Sequence, residues 1–199
     1  MIKINPTTAM FPGASHIVAT ARASMLNNKF NNAEFNLSNI QLCPQTSVSL
    51  TEASAVDLSE RFTDTNFFLH ANIKLNSEFE VFDASVDLKS QKIKSYAKKL
   101  KKIIHILGGN GYSWHAASAR GNLINFEQAC KNTKILQDML EVTVSIEGLY
   151  PSQYEWPVAS VDEYEKLLDT DINFALDVSH LYICHCQDRI VEMKLIEEL

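Results

Sequence analysis

The chain of 199 residues is 46% apolar and carries a formal net charge of −6 at neutral pH. This length suits one well-buried domain but falls short of the about 250 residues of a usual eight-unit (β/α) barrel. The acidic balance argues against a general phosphate-binding surface, so no nucleic-acid partner is expected. The N-terminal residues lack the apolar core of a signal peptide, and no stretch reaches the roughly 18 apolar residues of a membrane span. We therefore expect a cytoplasmic protein with no membrane partner.

Four cysteines, at positions 43, 130, 184 and 186, are too scattered for a disulfide framework. The run Cys184-His185-Cys186 lacks the paired spacing of a structural zinc site. There is no obvious linker or low-complexity tract, so residues 1–199 are interpreted as a single domain.

Apolar periodicity predicts alternating strands and helices along the chain. The first half is predicted to contain a strand at 2–5, a helix at 15–26, a strand at 33–42, a short helix at 51–61 and a strand at 66–73. The second half is predicted to contain helices at 87–101, 122–140, 161–168 and 184–199, with strands at 102–107, 142–147 and 172–177. This order predicts an α/β fold, an incomplete or shortened (β/α) TIM-type barrel of about six parallel βα units.

Several short apolar runs end in residues of metal-ligand type, namely His70, His105, Glu147, Asp177 and His180. Successive runs lie about 30 to 42 residues apart, close to the length of one strand-plus-helix unit. We therefore expect each of these residues at the C-terminal end of a strand, in one mouth. Imidazole nitrogen and carboxylate oxygen suit Zn²⁺, Mn²⁺ or Fe²⁺, and a glutamate is able to bridge two such ions. A single histidine in this position is usually an ordinary rim residue, so the joint placement is what indicates a metal site.

These segments resemble the xylose isomerase-like TIM-barrel superfamily, which includes AP endonuclease family 2, sugar isomerases and epimerases, and multinuclear iron enzymes that modify peptides. The resemblance spans about residues 60 to 183 and is carried by FFLHANIKLN, IIHILGG, VSIEGLY and FALDVSHLYI. It implies, in chain order, a strand-three histidine, a strand-four histidine, a bridging glutamate and an Asp-x-x-His pair: His70, His105, Glu147, Asp177 and His180.

The chain departs from the superfamily pattern in three respects. Gly148 stands where the family commonly has asparagine after the glutamate, and the turn HILGGNG replaces the His-Pro-Gly of the endonucleases. The strand-seven histidine and strand-eight glutamate of the family have no counterpart. We therefore expect fewer protein ligands than in a complete centre, and a homo-oligomer or a partner chain that completes the barrel.

The ligand set and the resemblance favour a metal-dependent enzyme of the sugar isomerase/epimerase-like class acting on a small polar substrate, with Glu147 and His180 as catalytic residues. Three alternatives stay open: a non-catalytic partial-barrel interaction protein, an iron-dependent peptide-modifying oxidase, and an AP-endonuclease-like phosphodiesterase. Aromatic residues in such loops more often pack than bind substrate, and a lone loop histidine is usually just exposed. With that reservation, candidates at the substrate mouth are Tyr150, Tyr154, Trp156 and, as a rim ligand or proton donor, His115.

Overall fold

The computed structural model describes residues 2–26, 29–30, 33–73, 75, 82–117, 122–152 and 156–188. In chain order its elements are β1 (Ile2–Ile4), a 3-10 helix (Thr8–Met10), α1 (His16–Ser24), β2 (Lys29–Phe30), β3 (Ala33–Phe35), β4 (Asn39–Leu42), α2 (Glu52–Arg61), β5 (Asn66–His70), α3 (Gln91–Ile106), β6 (Gly111–His115), α4 (Phe126–Leu140), β7 (Thr143–Glu147), α5 (Val161–Leu168), β8 (Asn173–Ala175) and α6 (Val178–Asp188).

Strands β4 to β8 form one open sheet in which every pair is parallel and neighbours in space are neighbours in the chain. Helices α2 to α5 connect successive strands, as the repeated βα units of a TIM barrel require. The predicted α/β class and the partial barrel are confirmed, with five parallel units in the main sheet.

The N-terminal strands explain why the main sheet has five strands and not the predicted six. A turn in which the Asn39 N–H donates to the Asn36 carbonyl oxygen splits the predicted strand over 33–42 into β3 and β4. Strand β1 pairs in parallel with β3, and β2 pairs antiparallel with β3, in a separate small sheet. After β1 the chain reaches β4 at one parallel bridge, between Thr7 and Gln41. The first unit therefore touches the main sheet without adding a full strand to it.

The predicted strand over 102–107 is wrong, because these residues lie in the last turns of α3 and its C-cap. Ile103 and Ile104 are buried and continue the helical spacing of the preceding apolar residues, so the run KIIH extends the helix. The helix ends before Gly108, whose φ of +62° suits the residue after a C-cap. The strand that follows is β6, and His105 is an exposed residue of α3.

Most helices begin at a polar side chain that accepts a hydrogen bond from a backbone N–H of the first turn, a common N-terminal cap. These capping residues are Ser15, Thr51, Asn125 and Ser160. The predicted helix starts at Ser15 and Thr51 agree with these caps. Helix α6 begins earlier than predicted, directly after Asp177, and residues 189–199 of the predicted final helix lie outside the described residues.

Strand alternation divides the main sheet into a helix side and an inner side. On β7, Val144 and Ile146 join the hydrophobic core formed with the helices, whereas Ser145 lines a cavity on the inner side. Glu147 follows the same alternation as Ser145, so it lies on the inner side at the C-terminal edge of the sheet. Among the described residues, no helix combines the length and the apolar character needed to cross a membrane.

Candidate metal centre

Glu147, the last residue of β7, is surrounded by imidazoles. His70 Nε2 lies 2.7 Å from Glu147 Oε2, and His115 Nε2 lies 3.3 Å from Oε1. His180 Nδ1 lies 3.5 Å from the same Oε1 atom. The carboxylate is buried, with 5% of its side chain exposed. Three imidazoles from separate parts of the chain thus converge on one buried carboxylate.

The strand register explains this convergence. His70 and His115 are the last residues of β5 and β6, and His115 lies directly opposite Glu147 in the pairing of β6 with β7. Glu147 in turn lies opposite Ala175 of β8, two residues before Asp177. Because all these strands are parallel, their carboxyl ends meet at one edge of the sheet, where such barrels hold their chemistry.

Four of the five residues predicted as ligands are brought together here: His70, Glu147, Asp177 and His180. The fifth, His105, lies at the other end of the sheet. It lines a cleft with Thr143 and Asn173, which are the first residues of β7 and β8. The prediction that His105 ends strand four is therefore corrected: that position belongs to His115 at the end of β6.

The sequence places His115 only at the rim, as a ligand or proton donor, because the strand is predicted over 102–107 and not over the residues that end at His115. The signal was present in the run GYSWH, where the buried apolar residues Tyr112 and Trp114 alternate with Ser113 and His115. The glycines ahead of this run mark the end of α3 and so the true start of a new unit.

His70 has a hydrogen-bond acceptor at each ring nitrogen. Its Nδ1 lies 2.7 Å from the Ala71 carbonyl oxygen, and its Nε2 lies 2.7 Å from the Glu147 carboxylate. A neutral imidazole carries one N–H, so it satisfies only one of these acceptors. Both are satisfied when the ring is protonated, and both Nε2 and the carboxylate would also be satisfied if they held the same cation. Nδ1 donating to a backbone carbonyl while Nε2 faces the site is the usual arrangement of a metal-binding histidine.

The electrostatics of the pair follow from its burial and its close contacts. Burial acts to lower the pKa of His70, but its hydrogen bond to Glu147 and the charge of that carboxylate outweigh burial and raise the pKa above its usual value. Burial acts to raise the pKa of Glu147, but hydrogen bonds from His115 and His70 hold that pKa well below its usual range. Glu147 is therefore ionised across the ordinary pH range.

A second group of candidate ligands shares Glu147 with the first. The two groups are His70, His115 and Glu147, and Glu147, Asp177 and His180; within each, the ligand atoms all lie within 4.8 Å of one another. His180 Nδ1 lies 2.7 Å from the Gly148 carbonyl oxygen, which leaves Nε2 facing Asp177 Oδ2 at 4.0 Å. Nitrogen and oxygen donors in two groups with a common carboxylate fit two neighbouring divalent ions such as Zn²⁺, Mn²⁺ or Fe²⁺.

Asp177 also caps α6, which ties the second group to that helix. Its Oδ1 accepts hydrogen bonds from the Ser179 backbone N–H at 2.7 Å and from the His180 N–H at 3.3 Å. Its other oxygen, Oδ2, is the one that faces the His180 ring. The Asp-x-x-His spacing thus places two candidate ligands in the first turn of α6, and one of them, Asp177, is also the helix cap.

Below the candidate metal centre, the inner side of the sheet encloses a cavity of about 410 Å³. Gln41, Ser113 and Ser145 give it polar groups, and Phe68 and Leu176 give it apolar walls.

Cys43, one residue beyond β4, is buried, and its thiol lies 3.0 Å from Thr7 Oγ1. Burial raises the pKa of the Cys43 thiol to about 12, so it is a neutral hydrogen-bonding group and a poor metal ligand.

Two of the aromatic residues predicted at the mouth lie beside this site. The Tyr150 ring centroid lies 5.1 Å from that of His180, in an edge-to-face arrangement, and 6.2 Å from that of Trp156. Tyr154 lies outside the described residues. Tyr150 is thus next to the His180 side of the candidate centre, and Trp156 is next to Tyr150.

No family model and no curated protein matches the chain, but solved structures share its fold. A xylose isomerase domain-containing protein from Salmonella typhimurium is 14% identical, with a TM-score of 0.59 over 91% of this chain and 62% of that one. A D-tagatose 3-epimerase-like protein is 10% identical, with a TM-score of 0.53 over 91% of this chain and 66% of that one. Endonuclease IV from Thermus thermophilus is 17% identical, with a TM-score of 0.51 over 92% of this chain and 64% of that one.

These similarities show the fold. The chain has the architecture of the xylose isomerase-like TIM barrels, as its motifs implied, and it spans less than two thirds of the Salmonella and Thermus chains.

Proposed function

We propose that this chain is a metal-dependent enzyme of the sugar isomerase/epimerase-like class that acts on a small polar substrate. The observation that carries the proposal is the buried Glu147 carboxylate with three imidazoles around it. Two of the similar folds, the xylose isomerase domain-containing protein and the D-tagatose 3-epimerase-like protein, support the class of reaction. The residues that would hold the metal are His70, His115, Glu147, Asp177 and His180.

A bound divalent cation supplies Lewis-acid polarisation of a substrate carbonyl or hydroxyl. Glu147 is a weak base because its pKa is depressed, so we assign it the role of the carboxylate common to both groups of ligands. His180 has 17% of its side chain exposed, against 5% for Glu147, and is the better placed of the two predicted catalytic residues to meet a substrate. Its Nδ1 is engaged by the Gly148 carbonyl, so Nε2 is the atom that binds a cation or exchanges a proton.

Metal content tests the first half of this proposal. Protein purified without chelator should contain Zn, Mn or Fe, up to about two equivalents per chain, by elemental analysis. Glu147→Gln removes the negative charge that the two groups of ligands share, and it should abolish metal binding by both groups. Glu141→Gln is a matched control, because Glu141 is exposed at the C-cap of α4 and pairs with Lys101. If no transition metal is found, and if Zn²⁺ and Mn²⁺ leave the melting temperature unchanged, the non-catalytic interaction protein is favoured.

Hydrogen exchange tests the second half. Metal-loaded protein incubated with a panel of aldoses and ketoses in D₂O should incorporate deuterium at the carbon next to the carbonyl of one of them, as NMR would detect. Protein that binds metal but catalyses exchange in none of the panel would contradict the isomerase class while leaving the metal centre intact.

We also propose that the free edge of β8 is covered by a second copy or a partner chain. Among the described residues, no strand pairs with the outer edge of β8. On α6, the helix that follows β8 in the chain, Val178 and Tyr182 lie one turn apart and are 57% and 67% exposed. Unpaired strand edges and exposed apolar groups of this kind favour association.

A further inference from the structure

Tyr164 of α5 packs directly beneath the backbone that follows Glu147. The side chain is fully buried, and a Cβ atom at Gly148 would lie only 2.8 Å from the Tyr164 ring. The Tyr164 hydroxyl donates a hydrogen bond to the Leu149 carbonyl oxygen. The ring therefore requires glycine at position 148, and this is a physical reason for the departure from the Glu-Asn pattern of the superfamily.

Cys184 of α6 meets Tyr164 at the same carbonyl. Its buried thiol lies 3.6 Å from the Leu149 carbonyl oxygen and 3.7 Å from the Tyr164 hydroxyl. Cys184 lies one helical turn after His180, and residues with this spacing share a helix face. Tyr164 and Cys184 thus connect the segment after β7 to the helix that carries a candidate ligand.

Every backbone polar group of Gly148 and Leu149 has a partner. The Gly148 N–H donates to the Ala175 carbonyl oxygen at 3.3 Å, and the Leu149 N–H donates to the Val158 carbonyl oxygen at 2.7 Å. The Gly148 carbonyl accepts the hydrogen bond from His180 Nδ1 at 2.7 Å. A shift of this short segment would therefore move the acceptor that sets the orientation of the His180 ring.

We infer that Tyr164, assisted by Cys184, is a positioning residue for His180: it fixes the Gly148–Leu149 backbone so that the Gly148 carbonyl holds the imidazole with Nε2 toward Asp177. The consequence for metal affinity rests on the proposed function, whereas the consequence for the ring itself does not. Backbone carbonyls that orient ligand imidazoles matter energetically, because losing such a partner typically costs about 10- to 100-fold in metal affinity. Tyr164 acts through one further peptide, so its effect should lie near the lower end of that range.

The test uses Tyr164→Phe, which keeps the ring and removes the hydroxyl. Tyr112→Phe is the matched control: Tyr112 is also buried, but its hydroxyl has no hydrogen-bond partner within the described part of the chain. The first measurement is the ¹⁵N NMR spectrum of the His180 ring in metal-free protein, in mildly alkaline solution. Wild type and Tyr112→Phe should show the Nδ1–H tautomer, and Tyr164→Phe should show a mixture of tautomers.

The second measurement is Zn²⁺ affinity by competition with a chelating dye, which we expect to fall by about 10-fold in Tyr164→Phe and to stay unchanged in Tyr112→Phe. Cys184→Ala, which should shift the His180 signals in the same direction, provides a second variant if Tyr164→Phe folds poorly. Unchanged His180 signals in both Tyr164→Phe and Cys184→Ala, or equal changes in the two tyrosine variants, would overturn the inference and leave Tyr164 as core packing. Absence of Zn²⁺ binding in wild type would contradict the proposed function, while the tautomer measurement would still decide the positioning role.

Discussion

His115 lies directly opposite Glu147 in the pairing of β6 with β7, and its Nε2 atom is 3.3 Å from a Glu147 carboxylate oxygen. Side chains opposite one another on neighbouring parallel strands lie on the same side of the sheet, so this contact follows from the register alone. His115, His70 and Glu147 thus form the first group of candidate ligands.

Replacing His115 should weaken metal binding by the group formed by His70, His115 and Glu147. We expect His115→Ala to lower the bound metal by about one equivalent, or to weaken it by at least about 10-fold, because a three-residue group loses one of its donors. His105→Ala is the matched control, since His105 is exposed on α3 at the opposite end of the sheet. Elemental analysis and calorimetric titration of both variants would check this. Equal losses in the two variants would contradict the assignment.

Metal uptake should release protons from His70. The hydrogen bond and charge of Glu147 raise the pKa of His70, so the metal-free ring keeps its proton to higher pH than a free imidazole, and a cation at Nε2 has to displace that proton. We expect release of up to about one proton per chain at a pH where the metal-free ring is protonated, and an affinity that falls as the pH is lowered. Titration calorimetry in buffers of different ionisation enthalpy measures the number released. His70→Gln should abolish the release, and a wild type that releases none would contradict a protonated His70.

The buried imidazole of His16 should make the stability of the fold depend on pH. This residue of α1 is buried, and burial lowers its pKa from 6.5 to about 4. The unfolded chain therefore binds the proton more tightly, so stability is retained above pH 6.5 and is lost as the pH falls toward 4. The loss attributable to His16 should be about 3 kcal/mol. Urea unfolding of wild type and His16→Gln on both sides of this interval would show the difference, and parallel pH profiles would contradict it.

Gly148→Ala should destabilise the fold through the Tyr164 ring. The added Cβ would lie 2.8 Å from that ring and 3.0 Å from the Phe174 ring, so we expect a cost of about 1–3 kcal/mol. Tyr164→Leu removes the ring atoms closest to Gly148, so Gly148→Ala should lower the free energy of unfolding by less in the Tyr164→Leu variant. A double-mutant cycle by chemical denaturation measures this coupling, and additive effects would mean that the ring is not what excludes the methyl group.

Association through the free edge of β8 can be measured directly. We expect self-association at micromolar concentration by light scattering, and its loss in Tyr182→Glu, because Tyr182 is a large exposed side chain on α6, the helix that follows β8. Val56→Glu on α2 is a control, since Val56 is also exposed but lies on a helix remote in sequence from β8. A monodisperse wild-type monomer with a cooperative melt would show that the edge needs no copy or partner.

Sequence patterns predicted the βα order and most of the candidate site. Short apolar runs that end in a ligand-type residue are recognisable as strands, and parallel strands have their C-terminal residues at one edge of the sheet. They failed at His105, where the buried Ile103 and Ile104 suit the core face of a helix as well as a strand. The contacts that distinguish the two structures come from elsewhere: Gly109 packs so closely against the Phe67 carbonyl that a Cβ would approach it to 2.7 Å. Periodicity in a short apolar run carries no information about such neighbours.

The sequence also does not predict how the candidate ligand side chains are oriented. The Gly148 carbonyl that meets His180, and the Tyr164 ring that excludes a side chain at Gly148, are fixed by packing between α5, α6 and the end of β7. From the sequence, glycine after the glutamate is only a departure from the superfamily pattern, whereas the structure shows that the Tyr164 ring leaves room for no side chain there.

The sharing of Glu147 between two groups of ligands has a consequence for the unfolded chain as well. His70 and His180 lie about 110 residues apart in the sequence, and both contact this carboxylate. Cations held there would act as a reversible cross-link that closes most of the main sheet into one loop, as a disulfide does in a secreted protein. Their binding would restrict the unfolded chain for as long as both histidines stay bound, and their removal would lift that restriction.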